Sequence, residues 1–265
     1  MTDADTEKPF VRALSRGLHV ITAMGGTAGG AALSDIAGRV DLDRATTRRI
    51  LLTLESLGYV RIADKRFYLA PKVLNLGYAF LSATPLWSVS SPYLAEAAAA
   101  VAGSCSICVR DEDMLVYVAR ANSAKRNLAQ LVEVGTRFPL YSTSAGKVLL
   151  AGMPAQRFED YLERITLVPF TSRTITDKSA LRQAVETIRG QQWAFSDQEQ
   201  EDGVRSVAIA LRNGRGQIVA ALNASIQASR LVQDDLDGQL RDHLAVLSKM
   251  RLALEPALAA ELPID

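Results

Sequence analysis

The stretch Ala31 to Leu69, AALSDIAGRVDLDRATTRRILLTLESLGYVRIADKRFYL, decides how the rest of the chain is read. Leu33, Ile36, Ala37 and Val40 fall at helical spacing and give a first short helix one apolar face. Ala45, Ile50, Leu51, Leu54 and Leu57 do the same for a second helix, with Asp43 in the N-cap position. Arg44, Thr46, Thr47, Arg48 and Arg49 fill its first turns, and most of these point away from the apolar stripe. Guanidiniums and hydroxyls so placed suit a DNA major groove. Gly58 ends the helix. Tyr59–Ile62 and Phe67–Leu69 are β-prone runs, joined by Ala63-Asp64-Lys65-Arg66. That turn offers Lys65 and Arg66 to phosphate or the minor groove. Helix, helix and basic-tipped hairpin, in that order, predict a winged helix-turn-helix; the plainer alternative is a small helical domain with a solvated charged face.

Outward from that stretch, 265 residues with 48% hydrophobic content predict two domains with packed cores. Net charge is +1, unevenly spread: residues 1–72 carry 11 Lys and Arg against 8 Asp and Glu. A mildly basic head on a mildly acidic body fits a DNA reader joined to a sensor. No apolar run reaches the roughly 18 residues of a membrane span, and Met1 to Pro9 is too polar for a secretory signal. A cytoplasmic protein is expected.

Upstream of the central stretch, Val11, Leu14, Leu18 and Ile21 mark a first helix, followed by a glycine-rich connector from Met24 to Gly30. Downstream, the segment from Pro71 to Leu81 is apolar around much of its circumference, as in a helix that packs on a second chain. The expected domains are residues 1–70, a linker helix at 71–84, and a second domain at 85–265. That domain opens with an alanine-rich helix up to about residue 102. Strands are expected at Cys105–Val109, Met114–Arg120, Leu128–Val132, Trp193–Ser196, Ser206–Leu211 and Ile218–Ser225, with Gly135–Tyr141 as a loop. Helices are expected from Ser142 to Leu150, around Pro154–Ile165 and Asp177–Gln191, and from Val232 to Ala260. Antiparallel strands with helices on one face make an α+β sensor domain.

Catalytic chemistry finds little support. Ser142 and Ser144 lack a neighbouring base, and no G-x-S-x-G elbow is present. Cys105 and Cys108 form a C-x-x-C, but on a strand they point to opposite faces and cannot easily share a metal. Neither a catalytic residue, a metal nor a cofactor is expected. The run Asp197–Asp202 reads as a solvated acidic loop. Binding fares better: Ser142-Thr143-Ser144 heads a helix whose free N–H groups attract a small carboxylate, with Ser206, Asn223 and Ser225 supplying polar strand ends. Ordinary helix capping explains the same residues equally well.

Val11-Arg12-Ala13-Leu14-Ser15-Arg16-Gly17-Leu18, Gly135–Pro139 with Thr143–Lys147, Gly203–Ala208 and Gly216–Ser225 together resemble the IclR family of bacterial transcriptional regulators along essentially the whole chain. The resemblance implies a winged helix-turn-helix domain, a dimerising linker helix and a GAF-like α/β effector-binding domain, acting as dimers or tetramers on palindromic double-stranded DNA. It places the effector pocket at Asn127, Gln130, Phe138, Ser144, Ala145, Ser196, Val204, Ser206, Asn223 and Ser225. Ser196 departs from the acidic residue of glyoxylate-sensing members, and Asn127 and Gln130 suggest a roomier polar pocket. Tyr117–Arg120, Thr136–Tyr141 and Ser196–Glu199 look like the subgroup governing aromatic-acid (β-ketoadipate pathway) catabolism, whose effectors include protocatechuate, 4-hydroxybenzoate and β-ketoadipate. The alternative within the family is a repressor of another metabolic operon that senses a non-aromatic acid. Outside it stands a small-acid sensor or enzyme whose helical head binds protein.

Overall fold

The computed structural model describes residues 10–27, 29–83, 85–123, 132–231 and 235–258. The chain divides into two compact units, Met1–Phe80 and Leu81–Asp265.

In the first unit, α1 (Arg12–Ala23), α2 (Leu33–Arg39) and α3 (Arg44–Ser56) precede a hairpin of β1 (Val60–Ala63) and β2 (Arg66–Leu69). The turn between α2 and α3 works because Asp43, in extended conformation, accepts the backbone N–H of Thr46 at 2.8 Å. Gly58, at φ +80°, lets the chain leave α3 into β1. Asp64 and Lys65 both take positive φ, the two-residue turn that matches strand twist. Ala31 pairs with Phe67 through two 2.9 Å backbone bonds, an isolated bridge that ties the segment before α2 to the wing. Val20, Met24, Ile36, Leu51, Leu54 and Phe67 fill the core between these elements.

Of the apolar stripe expected to bury α1, only Ile21 packs against the core. Val11, Leu14 and Leu18 are exposed, and Val20 and Met24 enter the core in their place. Periodicity located an amphipathic helix, but several positions along it are apolar and packing against α3 selected the other set. The helix α4 (Leu74–Ser82) likewise leaves Leu74, Leu76, Tyr78 and Phe80 exposed.

The second unit is built on a six-stranded antiparallel sheet in the order β5-β4-β3-β8-β7-β6. Its strands are β3 (Ser104–Asp111), β4 (Met114–Asn122), β5 (Arg137–Pro139), β6 (Trp193–Asp197), β7 (Val204–Arg212) and β8 (Ile218–Gln227). Helices cover both faces, where one covered face was expected. On one side, α5 (Pro85–Ala100) and α9 (Leu236–Leu254) pack on Cys105, Ile107, Val207 and Leu222. On the other, α6 (Ser144–Ala151), α7 (Ala155–Arg164) and α8 (Lys178–Gln191) pack on Leu115, Tyr117, Ala208 and Ala221. The near-continuous apolar runs in β7 and β8 are the signature of strands buried on both faces.

Smaller differences have local causes. Arg137–Pro139, expected in a loop, pairs with Val116–Met114 as a short edge strand. α6 starts at Ser144, because the Thr143 hydroxyl accepts from Gly146 N–H at 2.9 Å and Leu140–Ser142 form a separate 3₁₀ turn. The last helix begins at Leu236 and gives way to a 3₁₀ turn at Glu255. In the expected strand Leu128–Val132, residues 128–131 lie outside the described residues. Cys105 and Cys108 do face opposite layers, one in each core. Burial pushes the Cys105 thiol up to about 12 and raises Cys108 as well, with the Arg120 charge a weaker opposing influence on both.

Candidate functional sites: an arginine-bearing helix face and a hydroxyl-lined cavity

The first site is the outer face of α3 with the wing. Arg44, Arg48 and Arg49 are exposed, and none of their guanidiniums has an ion-pair partner among the described residues. Thr46 is half-buried and its N–H is held by Asp43. That hydrogen bond, foremost among the causes, holds the Asp43 carboxyl below its usual range. Thr47 is a correction. It is 0% exposed, and its hydroxyl donates to the Asp43 carbonyl at 2.9 Å. Position 47 shares the inward face with Leu51 and Leu54, so its side chain cannot reach a groove.

At the wing, Lys65 is exposed at the tip. Arg66 spends one Nη on the Gly30 carbonyl at 3.0 Å, which ties the hairpin to the segment before α2. Sequence reading passed over Arg61, exposed on β1 with its guanidinium 5.5 Å from the Tyr68 ring centre. Alternation along β1 would have found it, since Val60 points in and its neighbour must point out.

The second site lies where α6 begins, on the α6–α8 side of the sheet. Antiparallel register sets Ser206 opposite Ser225, and Ala208 opposite Asn223. From these strands and the helix a polar chain forms. Ser144 Oγ lies 2.8 Å from Ser206 Oγ, Asn223 Nδ2 donates to Ser144 Oγ at 3.0 Å, and Ser225 Oγ donates to Asn223 Oδ1 at 2.8 Å. Gly146 permits the approach of α6 to the preceding turn; a Cβ there would sit 2.1 Å from the Leu140 carbonyl oxygen. A cavity of about 50 Å³ opens beside this chain, lined by Tyr117, Phe138, Thr143, Ser196, Val204 and Ser206 among others. The roomier pocket expected from the sequence rests on positions 127 and 130, outside the described residues. Phe138 meets Tyr117 edge-on at 6.0 Å and helps to close it.

Of the effector residues expected, Phe138, Ser196, Val204 and Ser206 line the cavity, and Ser144, Asn223 and Ser225 join the hydrogen-bonded chain behind it. Ala145 packs within the apolar core instead. Asn127 and Gln130 lie outside the described residues.

The rim was misread. Asp197–Asp202 is not simply a solvated loop. Lys147, on α6 and 3% exposed, pairs with Glu199, while the Thr174 hydroxyl donates to the Glu199 carbonyl at 2.6 Å. Asp197 bridges Arg205 and Arg173. Partial burial opposes its charge, but the hydrogen bonds from Arg205 and Gln198 and the two guanidinium charges prevail, and its carboxyl titrates below the usual range. Gln200 and Glu201 line the cavity as a result, and the buried Gln200 Oε1 has no hydrogen-bond partner among the described residues. Arg120 was also missed. It donates to Ser106 and Ser104 hydroxyls at 2.8 Å and lies 5.6 Å from the Tyr117 ring centre, bringing positive charge to this sheet face.

No group of three His, Cys, Asp or Glu side chains able to hold a metal occurs among the described residues. Nor is any described helix long and apolar enough to cross a membrane.

Comparison with known proteins matches both parts of the chain. The IclR helix-turn-helix domain matches residues 13–62, and the C-terminal domain of bacterial transcriptional regulators of the IclR type matches residues 78–249. The Pca regulon regulatory protein of Pseudomonas putida is 35% identical over 240 residues, covering 91% of this chain and 82% of that protein. The p-hydroxybenzoate hydroxylase transcriptional activator of Acinetobacter baylyi is 29% identical, covering 84% and 83%. A crystal structure of a transcriptional regulator from Rhodococcus sp. RHA1 superposes with a TM-score of 0.81 at 40% identity, covering 94% of this chain and 99% of that one. The matched families and relatives are transcriptional regulators, not enzymes.

Proposed function

Because the chain belongs to the IclR family of bacterial transcriptional regulators, we propose that it controls aromatic-acid catabolic genes of the β-ketoadipate and protocatechuate type in response to a small organic acid. Residues 1–70 read the operator, 71–84 form the linker helix, and 85–265 hold the effector. Arg44, Thr46, Arg48 and Arg49 meet the major groove. Lys65, Arg66 and Arg61 hold the backbone, where charge adds affinity without choosing sequence. Two or four copies act on a palindromic site, meeting through the apolar side chains of α4.

The observation that carries the effector reading is the convergence of Ser144, Ser206, Asn223 and Ser225 beside a cavity whose Gln200 acceptor has no donor. Hydroxyls and a helix start receive a carboxylate, and an orphan acceptor receives a hydroxyl such as a phenol. Binding then shifts the balance between two arrangements only by its affinity difference for them. A cavity of about 50 Å³ must widen for an aromatic ring, and Phe138 is the side chain positioned to yield. The small volume favours a second reading, a regulator of another operon sensing a small non-aromatic acid.

Two measurements test this. A gel shift with the upstream region of its own gene should show retention that scrambled competitor does not displace; displacement by both alike overturns the DNA reading. A thermal-shift screen of 4-hydroxybenzoate, protocatechuate, β-ketoadipate and glyoxylate separates the two effector readings. Stabilisation by the aromatic acids, lost in Ser144→Ala, supports the first, and stabilisation by aliphatic acids alone transfers support to the second.

A further inference from the structure

At the other end of α6, about 12 Å along its axis by helical rise, lies a second and larger cleft of about 610 Å³. Its apolar floor comes from Val148 on α6, Ile188 on α8, Ala210 on β7 and Ile218 on β8. Three arginines from three elements converge on it: Arg157 from α7, Arg189 from α8 and Arg212 from the end of β7. No carboxylate is among the lining residues described.

Two of these guanidiniums already serve the fold. Arg189 donates to the carbonyls of Ala151 and Met153 at 3.2 Å, lies 5.3 Å from the Phe158 ring centre and pairs with Glu186. Arg212 donates to the Gly216 carbonyl at 2.7 Å and to Gln192. Both are thereby held at fixed positions along the cleft wall. Arg157 makes no contact of this kind; it is exposed, with no hydrogen bond or ion pair among the described residues. A chain of net charge +1 has no general excess of cations to explain three at one opening.

From this arrangement we infer that the cleft is a second ligand site, separate from the cavity at the start of α6, for an organic anion with two or more acidic groups on an apolar body. Planar guanidiniums pair with carboxylate or phosphate oxygens in forked geometry. A cleft of this size with an apolar floor takes a body larger than an inorganic ion. The two sites lie at opposite ends of α6 and share no lining residue.

Titration of the full-length protein at low salt, followed by the methyl signals of Val148, Ile188 and Ile218, tests the inference. The probes are phthalate, tricarballylate and inorganic phosphate. At least one of the two organic anions should shift these methyls, and inorganic phosphate should do so less. Arg157→Gln, which removes no fold contact, should weaken the organic anion about tenfold, the size expected for one charge-assisted pair. Ser144→Ala, at the other site, should leave this affinity unchanged, which keeps the outcome independent of the effector assignment. Methyls that stay in place with millimolar organic anion overturn the proposal. So do an Arg157→Gln variant that binds like the parent, a response to inorganic phosphate equal to that of the organic anions, and methyl shifts that follow protein concentration without any anion, which would mark a face between copies of this chain.

Discussion

Thr47 and Arg48 are adjacent on α3 and have opposite tasks. The buried threonine donates its hydroxyl to the Asp43 carbonyl at the start of the helix, while the arginine stands in solvent. Thr47→Val keeps the shape and loses one partly buried hydrogen bond, so it should cost about 1 kcal/mol of stability and leave the ratio of operator to scrambled-DNA affinity unchanged. Arg48→Ala or Arg49→Ala should leave stability within about 0.5 kcal/mol and remove about 1–3 kcal/mol of base discrimination. Lys65→Ala should weaken all sequences alike and reduce the salt slope by about one. Fluorescence anisotropy on both DNAs at several salt concentrations, with thermal unfolding, reads all three; equal losses on both DNAs for the arginine variants refute the groove assignment. The buried thiols set a pH dependence. An unfolded thiol ionises near pH 8.5, whereas Cys105 in the fold ionises at about 12 and Cys108 is also raised. Across that window the unfolded chain gives up protons that the native chain keeps, so stability falls as pH rises and is unaffected by these groups below it. Cys105→Ala should flatten the decline between about pH 8 and pH 10 by about 2 kcal/mol, measured by urea unfolding at each pH.

At the scale of elements, α6 is fastened at both ends and along its side. Lys147 is the lateral tie: it joins the helix to the loop whose Gln200 and Glu201 rim the cavity. Lys147→Met leaves a buried carboxylate without its cation and should cost about 3–5 kcal/mol, most of it recovered when Glu199→Leu is added. If the single and double variants unfold at the same denaturant midpoint, the pair is not what holds the loop. This tie also shows why some elements were legible and others were not. Asp43 and Gly58 advertise both ends of α3 within a few residues, so local chemistry sufficed. The acidic run looked solvated because its cation lies 52 residues away on another element. Ser144 and Ser206 are 62 residues apart, and sheet register alone unites them; family resemblance supplied them, where spacing left capping as an equal explanation. β5 is three residues long, too short to show alternation. In α1 the period was right and the buried side only in part, since an apolar stripe does not name the surface that covers it.

For the whole molecule, regulation is a coupling between two binding free energies, and it must be reciprocal. Suppose 4-hydroxybenzoate at saturation changes the affinity for operator by some factor. The operator at saturation must then change the affinity for 4-hydroxybenzoate by the same factor, within a range of about 5–150 for typical couplings. The sign distinguishes release from recruitment, but equality does not depend on it. Thermodynamics alone would guarantee the equality if one protein state bound both ligands, so an inequality carries information. Leu74, Tyr78 and Phe80 on α4 are exposed, and the proposed association of copies through them enters the same equilibrium. If copies assemble on DNA, the apparent factors should disagree at low protein concentration and converge as concentration rises, because mass action then holds the assembly constant. Calorimetry for the acid and anisotropy for the DNA, each repeated across protein concentrations, measure both factors. Convergence places assembly and effector in one linked equilibrium; factors that differ at every concentration would mean that acid and operator engage separate populations, and the two units would not be one switch.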